Sequence, residues 1–280
     1  VHSTRTQVDK DLYHHYALEL INAIPNVELI YDKVIRVTKL EGMFHVELAS
    51  GGSLKAKRLV VTTGTFLNGK LHCGPEQCLG GVMGFDQAPA LNSIFDGVKA
   101  LPTRFKTGTP ARLKASTIDW SKCEPQPSDE CTPNFHWASP VGRKQDQISC
   151  HLTRTNPTTM DLIRSARERS PLYNGQIQGV GPRYCPSIED KAFRYPDRNT
   201  HHVFLEPEGL TTESVYPNGL STSLPKDVQE AFLRSIEGLE QVEILMHGYA
   251  VEYDVVDTTT LRQTLEHKEI SGLYFAGQVN

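Results

Sequence analysis

The chain has 280 residues, 38% hydrophobic and 22% charged, enough apolar material for one large core or two modest ones, and no apolar run approaches membrane-spanning length. A formal net charge of −4, from 29 basic and 33 acidic residues, excludes the overall basic footprint of a self-sufficient nucleic-acid-binding domain, so any RNA grip is local or lies elsewhere. The six cysteines include no C-x-x-C pair and no His/Cys cluster at zinc spacing, so no metal site is expected, and a chain of this size is expected to keep its thiols reduced. The sequence starts at Val1 without a methionine and stops at Asn280 just after an apolar run, which predicts an internal piece of a longer protein, inactive on its own.

In chain order, apolar residues at helical spacing from Val8 to Ile24 predict an amphipathic helix closed by Pro25-Asn26. Four β-rich runs follow, Val27 to Tyr31, Val34 to Leu40, Phe44 to Leu48 and Leu59 to Thr62, separated by Glu41-Gly42 and Gly51-Gly52 turns. The glycine-rich stretch Gly69 to Gly84 reads as a loop against a ligand or another backbone, and Pro89 to Ala100 as a helix. From Ala115 to Cys150 the residues are rich in Pro, Ser, Asp and Gln, and predict a long surface excursion. Asp161 to Ser170 and Lys226 to Ile236 read as helices, while His202 to Leu205, Ser214 to Tyr216, Gly219 to Ser223, Val242 to Asp254 and Gly272 to Ala276 read as strands. The expected class is α/β. A Rossmann-like nucleotide-binding core, incomplete and built from residues 1–105 and the return strand in 261–280, would be interrupted by an α+β insertion over 106–260.

Two segments share one chemistry. The strand Leu59-Val60-Val61 runs into Thr62-Thr63-Gly64, and Leu273-Tyr274-Phe275 runs into Ala276-Gly277-Gln278. A small residue or glycine past the carboxyl end of a parallel strand lets the backbone approach a dinucleotide. The pair suggests a flavoprotein whose phosphate-binding G-x-G-x-x-G turn is not in this sequence. In the run Gly179 to Lys191, glycines and prolines fix the path, and Arg183 and Lys191 flank Cys185; nearby cations favour the thiolate that a nucleophilic cysteine needs. A buried inert cysteine in a rigid loop is the alternative.

These residues are similar to the flavoprotein subunit of the tRNA uridine 5-carboxymethylaminomethyl modification enzyme, the glucose-inhibited division protein A family. The similarity lies in Leu59 to Lys70, Lys106-Thr107-Gly108-Thr109-Pro110, Arg169 to Tyr173, Gly179 to Lys191, Phe204 to Leu210, Tyr216 to Gly219, Ser221 to Pro225 and Phe275 to Gln278, in order over nearly the whole chain. The resemblance implies an FAD-binding homodimer that works on tRNA with a GTPase partner and no membrane. It implies flavin reduction by NADH and a carbon from methylene-tetrahydrofolate built onto uridine C5. It also implies Val34 and Gln278 at FAD, where the strand ends already place Thr63, Gly64 and Gly277, the Gly181 to Tyr195 run (with Gly181, Arg183, Tyr184 and Lys191) at NAD, and Cys185 as an essential cysteine.

The Gly181 to Tyr195 run is therefore expected to be a ligand-ordered loop. At Gly80-Gly81-Val82-Met83 the sequence departs from the family pattern and Phe85-Asp86-Gln87 aligns poorly, so no flavin contact is expected there. The long, cysteine-bearing excursion from Cys123 to Cys150 leans towards a eukaryotic, mitochondrial member. Two rival functions stand beside this one. A folate-dependent flavoprotein RNA uridine methyltransferase would share the FAD frame without the Cys185 run, and a non-catalytic scaffold binding a GTPase would lack flavin. Glu206, Glu208 and the Glu189-Asp190 pair are open to two readings, general bases or ions that staple loops. His201-His202 is expected to be a surface pair.

Overall fold

In the computed structural model, residues 6–129, 147–181 and 186–280 are described. Helix α1 (Lys10–Asn22) begins where the Asp9 carboxylate accepts the Leu12 amide at 2.9 Å, satisfying one of the unpaired amides of the first turn. No residue of α1 is buried, and Leu12, Tyr13, Tyr16 and Leu20 are all exposed. The run Val27 to Tyr31 forms no strand, against expectation: its residues suit a ladder, but no described strand lies beside it to complete one. Strands β1 (Val34–Leu40), β2 (Met43–Leu48) and β3 (Ser53–Ala56) form an antiparallel meander. Its first turn, Glu41-Gly42, has φ of +50° and +77°, the left-handed pair that matches the twist of a tight hairpin.

Strand β4 (Leu59–Val61) next pairs in parallel with the last strand of the chain, and the stretch expected as a glycine-rich loop is instead a hairpin, β5 (Lys70–Cys73) and β6 (Glu76–Leu79). After the single-turn helix α2 (Leu91–Ile94), much shorter than expected, β7 (Phe105–Thr109) leads into a mixed region: β8 (Arg112–Lys114), β9 (Glu124–Gln126), β10 (Cys150–Arg154), α3 (Pro157–Ser165), α4 (Ile188–Arg194), β11 (His202–Pro207), β12 (Ser214–Asn218), α5 (Lys226–Arg234) and β13 (Ile244–Met246). Gly219 to Ser223 is not a strand. The chain returns along β14 (Tyr249–Tyr253) and ends on β15 (Leu273–Phe275).

The class is the expected α/β mixture. A six-stranded antiparallel sheet, β13-β8-β12-β11-β10-β9, carries α3, α4 and α5 on a core of Leu113, Met160, Ile163, Ile188, Leu205 and Phe232. A four-stranded sheet, β6-β5-β14-β7, joins this unit to the rest of the chain, because β7 carries the chain away and β14 brings it back antiparallel alongside, Thr109 opposite Tyr249 and Phe105 opposite Tyr253. The third core packs β1 and β2 against β4, β15 and α2 through Val37, Phe44, Val61, Leu67, Leu91, Phe95 and Phe275, with Phe95 and Phe275 edge to face at 5.9 Å. Gln229 on α5, fully buried, ties that helix to the start of β14: its amide nitrogen donates to the Leu224 and Gly248 carbonyls and its amide oxygen accepts the Gly248 amide at 2.7 Å.

Candidate functional site

Parallel pairing sets Leu59 against Leu273 and Val61 against Phe275, so both strands reach their carboxyl ends side by side. Gly64 follows one end and Gly277 the other, at φ of +56° and +87°, and a Cβ added to either would meet no atom within 4 Å. Open space at two left-handed glycines beyond paired strand ends is the geometry in which backbone can approach a ligand. A cavity of about 820 Å³ opens there; Val34, Thr63, Gly64 and Gln278 line it together with Asp32, Lys33, Val37 and Phe95.

Phe85, Asp86 and Gln87, from which no contact was expected, line this same cavity. Two buried polar atoms in its wall, Thr63 Oγ1 and Gln87 Oε1, have no hydrogen-bond partner, and such orphans are costly unless something supplies one. Sequence reasoning passed over Gln87 because the segment departs from the family's pattern. Its only local signal was position, after a glycine turn that doubles back: Ala88 N–H donates to the Phe66 carbonyl, and Asn68 N–H to the Ala88 carbonyl, both at 2.9 Å.

A second convergence surrounds the two ends of the run that holds Cys185. On its amino-terminal side, Val180 forms a parallel bridge with Phe105, exchanging backbone bonds with Arg104 and Lys106. The Glu252 carboxylate, on β14, accepts the amides of Gln178 at 3.1 Å and Gly179 at 2.6 Å through Oε1. Its Oε2 meets the Arg104 guanidinium at 3.2 Å and lies 3.5 Å from His72 Nε2. Burial pushes the Glu252 carboxyl up, but His72, Arg104 and the two amides together outweigh it and hold it below the ordinary glutamate value. Arg104 also binds Asp254, whose other oxygen accepts the first amide of α2, so one guanidinium joins the cavity side to the loop side.

On the carboxyl-terminal side the structure corrects the expected loop. Ser187 caps α4 in a reciprocal box with Asp190, and Ile188, Glu189, Asp190 and Ala192 are buried, so residues 188–194 are core helix rather than a ligand-ordered loop. Lys106, 5% exposed, stands between the two ends: its Nζ is 3.8 Å from Asp190 Oδ2 and its Cε would be 3.5 Å from a Cβ on Gly181. Tyr173 donates to Asp190 Oδ1 at 3.0 Å; burial, and then the Asp190 charge, push this phenol up to about 12. Lys191 Nζ donates to the Gly219 carbonyl at 2.8 Å. Arg183, Tyr184 and Cys185 lie outside the described residues.

Of the carboxylates left open between base and staple, Glu208 is an ion in a network: burial raises it, but Ser214, Arg112 and Lys10 bring it below its ordinary value. Glu206 accepts from Asn218 at 3.0 Å. His201, expected at the surface, is buried, while His202 is exposed. Among the described residues there is no group of three His, Cys, Asp or Glu that could hold a metal ion, and no helix is long and apolar enough to cross a membrane. Burial pushes the Cys73 thiol up to about 11, so alkylation at pH 8 with iodoacetamide is expected to label the exposed Cys78 and spare Cys73, as peptide mass mapping would show.

The model of the family described as "Glucose inhibited division protein A" matches residues 1–280. The chain belongs to that family. Two solved structures of one relative carry the same fold. Aquifex aeolicus GidA in its form I crystal is 42% identical, with a TM-score of 0.88 over 98% of this chain and 47% of that one. The form II crystal of Aquifex aeolicus GidA is 39% identical, with a TM-score of 0.87 over 98% of this chain and 44% of that one. The present chain thus spans somewhat under half the length of these GidA chains.

Proposed function

We propose that this chain is the central part of an FAD-dependent enzyme that modifies C5 of the wobble uridine of tRNA, adding a carboxymethylaminomethyl- or taurinomethyl-type substituent. On this reading it works as a homodimer with a GTPase partner, takes electrons from NADH and carbon from methylene-tetrahydrofolate, and is inactive without the rest of its parent protein. The division into 1–105, 106–260 and 261–280 belongs to the same reading, supported by the side-by-side exit and return of β7 and β14. The compartment we propose is the mitochondrion, from the length and cysteine content of the excursion between Cys123 and Cys150.

The observation that carries the proposal is the cavity at the ends of β4 and β15. Its lining is mostly apolar, the open left-handed Gly64 lines it while the open Gly277 directly precedes the lining residue Gln278, and it holds two buried polar atoms without partners. That donor and acceptor set fits a flavin dinucleotide, whose polar edges would satisfy Thr63 and Gln87. Bound there, the flavin supplies the redox chemistry. The chain's own residues provide the rest: the Gly64 and Gly277 turns admit the ligand, and Val37 and Phe95 exclude water beside it. Cys185 is the nucleophile that adds to uridine C6, which makes C5 electron-rich enough to accept a carbon.

The test is made on the full-length parent protein. Gly64→Val places a β-branched residue at φ +56° and fills the open space, so flavin affinity is expected to fall by about tenfold or more, read as the 450 nm absorbance retained after desalting. Full flavin retention would remove the cavity from the proposal. Nucleoside mass spectrometry of tRNA from cells with and without the parent gene then reads the C5 substituent, and a simple methyl group would favour the methyltransferase reading instead.

A further inference from the structure

We propose that Gln87 reads the hydrogen-bonding edge of one ring of the bound dinucleotide, its carboxamide oxygen accepting a ring-borne N–H and its carboxamide nitrogen donating to the acceptor beside it. The assignment rests on the dinucleotide reading above and adds which chemical edge the cavity selects.

The turn that carries Gln87 is pinned to the exit of β4. Thr65 Oγ1 donates to the Gly81 carbonyl at 2.8 Å, the Gly80 amide to the Gly69 carbonyl at 2.9 Å, and the Met83 amide to Tyr249 Oη at 3.1 Å. At its far end Ala88 forms a parallel bridge with Leu67. Gly81 approaches Phe66 so closely that a Cβ there would lie 2.4 Å from the ring. Fixed at both ends, the turn keeps Gln87 in the cavity wall, opposite no group of its own protein: Oε1 is buried with no partner, and neither atom of the carboxamide bonds to a described residue. A buried acceptor in that state is destabilising until a donor arrives, and the route for one is the cavity that Gln87 itself lines.

The charge of the lining shows which part of a dinucleotide belongs here. Two carboxylates, Asp32 and Asp86, stand against one cation, Lys33, an excess of negative charge that disfavours phosphate. Val34, Val37, Val46 and Phe95 instead offer apolar walls to a flat ring. The polarity of the ring edge follows from the carboxamide. Its oxygen only accepts, so the ring must present N–H; its nitrogen only donates, so an acceptor must sit beside that N–H. A flavin dinucleotide has two such edges. Adenine carries an exocyclic N–H next to a ring nitrogen, the pair that glutamine reads in nucleic acids. The isoalloxazine carries a ring N–H between two carbonyls. Thr63 Oγ1, which donates or accepts, is left for a second atom of the same ligand.

The test uses the full-length parent protein, stripped of flavin and reloaded by titration. Gln87→Met keeps the length of the side chain and removes both polar atoms. It is expected to weaken FAD binding by about tenfold or more, the scale of leaving a ligand donor and acceptor unmet, while the Tm of the flavin-free protein is no lower than in wild type, because an orphaned oxygen has gone. The two rings are then told apart. If Gln87 reads the isoalloxazine, flavin bound at saturation in the variant shifts its visible absorption maxima and midpoint potential, and ADP competes as in wild type. If Gln87 reads the adenine, ADP competition weakens by the same factor as FAD binding, and spectrum and potential stay as in wild type. Unchanged FAD affinity, a lower Tm of the flavin-free variant, or both readouts moving together or neither moving would overturn the assignment. A wild-type parent that binds no FAD would instead overturn the dinucleotide reading beneath it.

Discussion

Cys185→Ser in the full-length parent protein is expected to lower tRNA modification at least about a thousandfold, while flavin content and NADH-driven flavin reduction stay close to wild type. The size follows from the chemistry: uridine C5 is a poor nucleophile, and a hydroxyl neither ionises nor leaves as a thiolate does, so the activation of C5 is lost rather than slowed in proportion. The selectivity follows from the fold. The cavity at β4 and β15 is lined by residues 32–34, 37, 46, 59–66, 85–88, 94–95 and 278, all remote in sequence from Cys185. The two ends of the Cys185 run are held independently of its side chain, by Glu252 and the Val180 bridge on one side and the Ser187–Asp190 box on the other. Modification measured by nucleoside mass spectrometry, beside flavin absorbance and anaerobic NADH reduction, separates the outcomes. Near-normal modification would end the nucleophile assignment, and loss of flavin would make the cysteine structural.

What the sequence disclosed follows the range over which each interaction acts. The strand–glycine ends at Gly64 and Gly277 were legible because the requirement is local, a small residue in a left-handed turn after a buried strand. That these ends sit side by side is a parallel pairing between positions more than two hundred residues apart, and motif likeness alone suggested it. The β5–β6 hairpin was missed for a related reason: glycines at its borders pointed to loop, whereas its ladder partner, β14, lies far along the chain. One helix was misplaced and another missed, although the start signals of both stand in the sequence. Asn156-Pro157 caps and opens α3 some four residues before the expected start. Ser187 and Asp190 form a capping box within a run whose prolines and glycines drew attention to its flexibility instead. The role of Glu252 was not legible. Nothing near it in sequence distinguishes a glutamate in a strand from any other, and all its partners, Arg104, His72, Gln178 and Gly179, come from distant segments.

That network carries the largest stability effect expected in the molecule. Glu252→Ala strips the acceptor from two amides and leaves Arg104 and His72 without their carboxylate in a site where Glu252 is 4% exposed and His72 is fully buried. Breaking a buried ion pair from one side costs about 3–5 kcal/mol; Arg104 can regain some water, which places this case near about 3 kcal/mol. Against a total stability of about 5–15 kcal/mol, that is a large fraction. Glu252→Gln keeps an acceptor for the Gln178 and Gly179 amides and is expected to cost about half as much. The pH dependence distinguishes charge from shape. Because the folded state holds this carboxyl below its ordinary value, its contribution is fully present above the unfolded-state value of about 4.3 and is lost as pH falls through the lower folded-state value. The stability difference between wild type and Glu252→Gln, measured by urea denaturation of the parent protein, should therefore be constant near neutrality and shrink in acid. A difference that stays the same down to pH 3 would show that the pairing with Arg104 contributes no charge-dependent stability, and that Glu252 acts on the loop stem through its hydrogen bonds alone.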